Sequence, residues 1–225
     1  MEKEVGKEAL KKGEKKFWKS TKKVFGKFWN LLWKDNSIKG WLFSIIFLFI
    51  FIKFIFFPLL NLATGTALPL AIVESCSMYH QGNLFSDFNN WWDQHLVKYS
   101  GLGIHKEDFQ NFIFRNGLNK GDILFTVGVK PENLRVGDVI IFNADQQNPI
   151  IHRIIKIQKT GDQYIFSTIG DNNNAQLPFE TSINQNQIVG KPIAKIAPYL
   201  GWVKLIFFEG SKPPSERGLC TQTPT

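Results

Sequence analysis

Residues 41–60 read WLFSIIFLFIFIKFIFFPLL, a run of 20 residues whose only charge is Lys53. At about 1.5 Å per residue, a helix of this length covers about 30 Å, the thickness of a bilayer's hydrocarbon core. One lysine costs roughly 2.5–3.5 kcal/mol at the centre of a span, which the surrounding Phe, Ile and Leu side chains offset. Pro58 is expected to bend or end the helix. The run predicts a transmembrane anchor at 41–60, and the alternative is a buried core helix.

The charge of the chain is concentrated before this anchor. Residues 1–40 contain 12 lysines and five acidic residues, whereas residues 61–225 contain 14 basic and 14 acidic residues. A nucleic-acid-binding domain carries clustered basic residues on its folded surface, so we expect no nucleic-acid partner. A lysine-rich flank stays in the cytoplasm. The sequence therefore predicts a single-pass protein of the cell membrane with a cytoplasmic N-terminus and an extracytoplasmic part after the anchor.

The basic region before the anchor contains a helical pattern. In residues 17–33, FWKSTKKVFGKFWNLLW, apolar residues recur at the spacing of one helix face and the lysines lie elsewhere. A basic amphipathic helix rich in Trp and Phe beside a span is typical of binding to an anionic leaflet of the lipid bilayer. We therefore predict a cytoplasmic amphipathic region at 1–40, and a loosely ordered polybasic linker is the alternative.

The part after the anchor has the pattern of a mainly β protein. β-rich runs separated by Gly, Pro, Asn and Asp clusters predict short strands and an all-β sheet or barrel. The predicted strands are 123–129, 138–142, 150–157, 163–169, 187–189 and 191–202. We expect a β domain at 61–209, an aromatic-rich insertion with short helices at about 81–118, and a disordered tail at 210–225.

The residues that usually hold metals or cofactors do not form a recognisable motif. The histidines at positions 80, 95, 105 and 152 are far apart in the sequence, and no HExxH or CxxC spacing occurs. A zinc site needs several nitrogen or sulfur ligands at short spacing, and phosphate-binding loops need a glycine-rich signature that is missing here. The sequence predicts neither a metal nor a cofactor.

A serine, a histidine and an acid on separate β elements form the remaining candidate site. Ser77 lies in VESCSM (73–78), His152 in the apolar strand IIHRII (150–155), and Asp171 in IGDNN (169–173). A serine nucleophile needs a base that accepts the hydroxyl proton and a third group that orients the base. Taken alone, the same residues fit a hydrogen-bonded core histidine and a serine in a turn.

Five motifs in order give these residues a wider context. They are SCSM (75–78), GDILFTVGVKPENLRVGDVIIFN (121–143), IIHRIIKI (150–157), STIGDNN (167–173) and IVGKPIAKIAPYLGWVKL (188–205). Together with the anchor, from about residue 41 to 208, they resemble type I signal peptidases of the archaeal and endoplasmic-reticulum subtype, the Ser-His variant. This resemblance implies a signal-peptidase-type β domain behind one transmembrane helix.

The resemblance also implies an activity and roles for residues. It implies a membrane-anchored serine endopeptidase that removes signal peptides from exported precursor proteins after small residues. Ser77 matches the family's nucleophile and His152 its general base, and Asp171 is our first choice as the acid. The Ser75 hydroxyl would support the oxyanion. The substrate would lie extended beside the strand before the nucleophile, against Ile72, Val73 and Met78, and a translocon or accessory subunits are expected partners.

The chain departs from the family pattern in three places. Cys76 stands where the family has a glycine, which places a thiol beside the nucleophile. Leu177 stands where the family's usual catalytic aspartate lies, so the acid is Asp171 or, as the alternative, Glu180. The insertion at 81–118 is additional, and it fits a lid, a membrane-dipping loop or a self-packed subdomain.

Three other functions remain open at this point. A catalytically inactive relative, acting as a subunit or scaffold of the export machinery, is compatible with Leu177. A thiol protease would use Cys76 with His152. A self-cleaving membrane regulator of related fold would need a serine–lysine pair, and the lysine is replaced here by histidine.

Overall fold

The computed structural model describes residues 18–19, 21–82, 88–144, 146 and 148–220. The chain forms two compact units, Met1–Leu59 and Leu60–Thr225. In the first unit, residues 18–19 and 21–33 are helical, and we call 21–33 helix α1. Residues 1–17 and 20, which belong to the predicted amphipathic region, lie outside the described residues.

Helix α2, Ile38–Thr64, contains the predicted anchor and is longer than 41–60 at both ends. Its apolar part has a mean hydropathy of 2.6 and is not buried in the protein, so among the described residues this one helix is long and apolar enough to cross a membrane. Pro58 does not end the helix. Residues Ile52–Phe56 form a π turn, in which Phe57 N–H donates to Ile52 O, and this wider turn accommodates the proline ring.

Part of the apolar face of α1 packs against α2. The Phe28 ring lies edge-on to Phe43 and Phe47, with centroids 5.9 and 5.2 Å apart. Ser44 Oγ donates to Leu32 O at 2.9 Å. Other large apolar residues of the region stay exposed, namely Trp18, Phe25, Trp29 and Trp33. A helix is therefore present at 21–33 within the predicted amphipathic region, and these other apolar side chains of the region remain exposed.

The second unit is built on an antiparallel β-sheet, which confirms the predicted mainly β fold class. Among the described residues of this unit, seven strands pair in the order β1-β2-β7-β3-β4-β5-β6. They are β1 Leu70–Ile72, β2 Ile123–Val127, β3 Val139–Phe142, β4 Ile150–Thr160, β5 Gln163–Ile169, β6 Ile183–Asn184 and β7 Ile188–Ala197. The sequence suggested two strands where β7 is continuous. Pro192 is tolerated there because the register with β2 shifts beside it, opposite Thr126.

The described part of the insertion between β1 and β2 contains two helices. Helix α3 is Phe88–Gly101 and helix α4 is Lys106–Gln110, while residues 83–87 lie outside the described part. Their buried aromatic side chains form one cluster with Ile155 of β4 and Ile169 of β5. The aromatic members are Trp91, Trp92, Tyr99 and Phe109. The described part of the insertion is thus packed onto the sheet rather than held away from it.

The C-terminal segment is tied to the first strand region, contrary to the expectation of a disordered tail. A last short helix, α5 (Trp202–Leu205), precedes it. Cys220 forms a disulfide with Cys76, 144 residues earlier. The nearly buried Lys120 ammonium donates to Glu209 Oε2 at 2.9 Å and to Glu216 O at 2.7 Å. These contacts order residues up to 220, and residues 221–225 lie outside the described range.

We predict that Cys220→Ser lowers the free energy of unfolding of this unit by about 2–5 kcal/mol, because the cross-link closes a long loop and restricts the unfolded chain. Urea titration in detergent without reductant, followed by tryptophan fluorescence, measures the change. Reductant added to the wild type should reproduce it, and the Cys76→Ser/Cys220→Ser double variant should match the single one. An unchanged midpoint in all three would contradict the prediction.

Candidate active site

Ser77 lies in the turn that follows β1. Val73 N–H donates to Asp122 O at 2.9 Å and Tyr79 N–H donates to Cys76 O at 3.1 Å, so backbone bonds fix both ends of the turn. The Ser77 hydroxyl is 2.8 Å from His152 Nε2 and 3.0 Å from Ser75 Oγ. The structure therefore brings together two serines and one histidine that the sequence had singled out.

His152 lies in the middle of the sheet, where β4 pairs with β3 and places it opposite Ile140. Its side chain is buried, with Nδ1 2.5 Å from Glu180 Oε1 and Nε2 facing Ser77. A carboxylate only accepts hydrogen bonds, so the ring proton belongs on Nδ1. Nε2 then carries the lone pair, which is the form that accepts a proton from Ser77.

Glu180 reaches the histidine because of the turn in which it lies. Residues Pro178–Glu180 form one 3-10 turn, and Glu180 Oε2 accepts from the backbone N–H of Leu177 at 2.7 Å. This reach back to the residue before the turn is the carboxylate half of a capping box. Thr168 Oγ1 adds a weak contact to Oε1 at 3.4 Å. The Pro-x-Glu pattern after Leu177 was a sequence signal for this geometry.

Asp171, our first choice as the acid, does not contact His152 in this structure. Its carboxylate accepts from Arg153 Nε at 2.8 Å and Arg153 Nη2 at 2.6 Å, and also from Tyr99 and His80 at 2.9 Å each. Arg153 follows His152 on β4, and successive strand residues point to opposite faces. Asp171 is therefore the charge partner of Arg153, on the face of β4 opposite His152.

The charges of this network are largely satisfied internally. Burial alone would raise the pKa of Asp171, but the Arg153 guanidinium and hydrogen bonds from Arg153 and His80 lower it far below its usual value. Burial lowers the pKa of His80 to about 4; the Asp171 carboxylate opposes this shift, whereas the nearby Arg153 guanidinium adds to it. At neutral pH the His80 ring is therefore uncharged, donates to Asp171, and stacks on Trp91 with centroids 3.6 Å apart.

We predict that Asp171→Asn destabilises the second unit by about 3–5 kcal/mol, because it leaves the buried Arg153 without its charge partner. The lowered pKa of Asp171 means that this contribution is complete at neutral pH and is lost only as pH falls below about 4. Urea unfolding at pH 7 measures it. Asp162→Asn, which alters an exposed carboxylate, is the matched control and should have little effect. A change equal in both variants would contradict the assignment.

A cavity of about 740 Å³ opens beside the two catalytic candidates Ser77 and His152. Ile72, Val73 and Met78 all line it, although Val73 and Met78 also belong to the buried core. The C-terminal segment contributes Lys212 and Glu216 to the same cavity. The predicted substrate-contacting residues therefore share one groove with the site. No cluster of three His, Cys, Asp or Glu side chains within the described ranges could hold a metal ion.

The expected thiol beside Ser77 is not present in this structure. Cys76 is one half of the disulfide with Cys220, and a nucleophilic thiol protease requires a free thiolate. No pattern in the sequence predicted this bond, because two distant cysteines do not reveal their pairing. The thiol-protease alternative therefore has no support in the geometry.

Comparison with known proteins finds relatives that are similar to one segment of the chain. No protein-family model matches the chain. The signal peptidase complex catalytic subunit SEC11C of Homo sapiens and that of Canis lupus familiaris are each 31% identical to it over 94 residues, which are 39% of this chain and 49% of the relative. Over this segment the chain is similar to signal peptidase complex catalytic subunits. SEC11 of Candida albicans (strain WO-1) is 26% identical over 96 residues, 40% of this chain and 57% of the relative.

These signal peptidase homologues confirm the resemblance found in the sequence, at modest identity. The chain spans about half the length of the curated relatives that it matches. These relatives are named as catalytic subunits of a signal peptidase complex, and helix α2 of this chain is long and apolar enough to cross a membrane.

Proposed function

We propose that this chain is a membrane-anchored serine endopeptidase of the signal peptidase I type, which removes N-terminal signal peptides from exported proteins after small residues. One observation carries the proposal. Ser77 Oγ, His152 and the buried Glu180 carboxylate form a continuous chain of hydrogen bonds at the wall of an open groove. Homology to signal peptidase catalytic subunits supports the substrate class.

In this mechanism Ser77 Oγ attacks the scissile carbonyl while His152 Nε2 accepts the hydroxyl proton. Glu180 keeps Nδ1 protonated and stabilises the imidazolium that forms. His152 then gives its proton to the leaving amine, and the C–N bond breaks to leave an acyl-enzyme on Ser77. A water molecule, deprotonated by the same Nε2, hydrolyses the ester and restores the serine. Asp171 acts only by supporting the fold in this assignment.

The developing oxyanion needs hydrogen-bond donors that are already in place. The backbone N–H of Ser77 and the hydroxyl of Ser75, 3.0 Å from Ser77 Oγ, are our candidates. Removal of one such donor typically raises the barrier by about 2.7–4 kcal/mol. Ser75 is therefore assigned a supporting role in the transition state.

The substrate would bind as an additional strand beside β1. This strand is the edge of the described sheet, with β2 on its other side, so its outer backbone groups can pair with an extended peptide. Ile72, Val73 and Met78 line the groove beside it. We infer that shallow apolar pockets there accept small side chains at the residue before the cut and two residues earlier.

The proposed setting is the cell membrane, with α2 as its single span and the β unit on the extracytoplasmic side. The 12 lysines among residues 1–40 support a cytoplasmic N-terminus, and the exposed Trp and Phe residues of the N-terminal region support its binding to an anionic leaflet. Because the relatives are named as subunits of a signal peptidase complex, accessory subunits or a translocon are proposed partners.

The test is processing of a precursor by the full chain in vesicles that contain anionic lipid. We expect one cut after a small residue at the end of the signal peptide, read by mass spectrometry of both products. A matched precursor with leucine in place of the small residue before the cut should be processed much more slowly. Absence of cleavage, or equal cleavage of both precursors, would contradict the proposal.

A further inference from the structure

The insertion supplies one charged side chain to the surroundings of the active site. Lys98, on helix α3, directs its ammonium group at the turn that follows β5. Its Nζ donates to Asp171 O at 2.6 Å and Asn173 O at 3.0 Å, with a longer contact to Gly170 O at 3.4 Å. An ammonium group has three donors and no acceptor, so three carbonyl oxygens match it.

The turn 170–173 also contacts the turn that contains Ser77, which we call the nucleophile turn. Asn172 N–H donates to Ser77 O at 2.7 Å, and Asn172 Nδ2 donates to Cys76 O at 3.1 Å. The approach is close, because a Cβ on Gly170 would lie only 2.8 Å from Ser77 O. The backbone of Ser77 is therefore held by the turn 170–173, and Lys98 stabilises the conformation of that turn.

The position of Lys98 sets its charge state. Burial lowers its pKa to about 8; the Asp171 and Glu180 carboxylates oppose this shift, whereas Arg153 adds to it. The imidazole of His95, on the same helix α3, also faces the Lys98 ammonium group. The folded-state pKa thus lies within the range of an ordinary assay, and the ammonium form predominates at neutral pH. Deprotonation removes one of the three donors and directs a lone pair at a carbonyl oxygen.

We propose that Lys98 is a positioning residue of the proposed protease, which fixes the turn 170–173 against the nucleophile turn and so sets the place of Ser77 relative to His152. The inference rests on the proposed function and goes beyond it, because it gives the insertion a role in catalysis. Lys98 does not itself line the groove and contacts no reacting atom. It acts through backbone carbonyls two contacts away from Ser77 Oγ, one of which belongs to the groove-lining residue Asn173.

The experiment compares wild type, Lys98→Met, Lys98→Arg and Lys106→Met in the precursor assay. Lys106 lies on the insertion next to exposed Asp93, so Lys106→Met removes the same charge without touching the turn. Displacement of a nucleophile by about 1 Å can cost about 10²-fold in rate. We expect Lys98→Met to lower kcat by tenfold or more while KM changes less than about twofold. Lys106→Met should behave as wild type.

The pH profile separates positioning from general support of the fold. Wild-type kcat should fall as pH rises through about 8, the pKa of Lys98, while Lys98→Arg should keep its rate to a pH at least one unit higher. If Lys98→Met does not fold, as judged by its thermal transition, this comparison decides alone. A wild-type kcat in Lys98→Met, or the same alkaline limb in wild type and Lys98→Arg, would overturn the inference.

The proposed function fails in a different way. If wild type and Ser77→Ala process the precursor equally, the protease assignment is lost before Lys98 is considered. If cleavage depends on Ser77 but not on Lys98, the protease stands and only the positioning role is lost.

Discussion

Ser77→Ala is expected to lower the rate of precursor cleavage by about 10⁴-fold or more, because it removes the hydroxyl that His152 Nε2 contacts and that forms the acyl-enzyme in the proposed mechanism. The hydroxyl that is lost donates to His152 Nε2 at 2.8 Å. A methyl group in its place leaves His152 and Glu180 paired with each other, so stability should change little. The measurement is single-turnover cleavage of a precursor in vesicles, with the thermal transition recorded for the same preparation.

The control for this variant is Ser100→Ala, which removes an exposed hydroxyl from helix α3. It should cleave at the wild-type rate. Equal activity of Ser77→Ala and wild type would contradict the enzyme assignment and favour the alternative of a catalytically inactive subunit. Residual cleavage that increases when reductant is added would instead point to Cys76 as the nucleophile, because its disulfide would have to open first.

Glu180→Gln is expected to lower kcat by about 10⁴-fold, the size of effect seen when the orienting acid of a serine–histidine site becomes an amide. The reason is the hydrogen-bond pattern around residue 180. Leu177 N–H needs an acceptor there at 2.7 Å, so the amide oxygen stays on that side and the NH₂ group faces His152 Nδ1. Nδ1 must then accept, and the ring proton moves to Nε2, where it blocks proton transfer from Ser77.

The comparison variant is Asp171→Asn, assayed under conditions where it remains folded. Its kcat should stay within about tenfold of wild type, because Asp171 contacts Arg153 and lies apart from the His152 imidazole. KM and the thermal transition are recorded for both variants. The opposite pattern, with turnover lost in folded Asp171→Asn and kept in Glu180→Gln, would assign the acid to Asp171.

The sequence was sufficient for elements that depend on local pattern. The anchor follows from a long apolar run with one charge, and strands β4 and β5 follow from β-rich runs between turn clusters. Continuity of β7 through Pro192 was beyond such reasoning, since it depends on a register shift in the partner strand. The resemblance to signal peptidases supplied Ser77 and His152, and the structure places their side chains in contact.

The acid was harder to assign because it depends on which face of a strand each residue occupies. Arg153, adjacent to His152 in an apolar strand, must be buried on the opposite face and requires a carboxylate of its own. Asp171 meets that requirement, which leaves Glu180 for the histidine. This argument from the alternating faces of a strand is available from the sequence once β4 is predicted. The contacts of Lys98 are not, because they depend on how the insertion packs on the sheet.

The disulfide between Cys76 and Cys220 has a consequence for where the β unit resides. Such bonds persist in oxidising compartments and are reduced by the thiol systems of the cytosol. The bond therefore supports an extracytoplasmic location by redox chemistry, independently of the lysine count that first suggested it. It also joins the nucleophile turn to residues that follow the whole sheet in the chain. In the proposed topology, the turn beside Ser77 would receive this constraint only after those residues have crossed the membrane, which would couple maturation of the site to its own export.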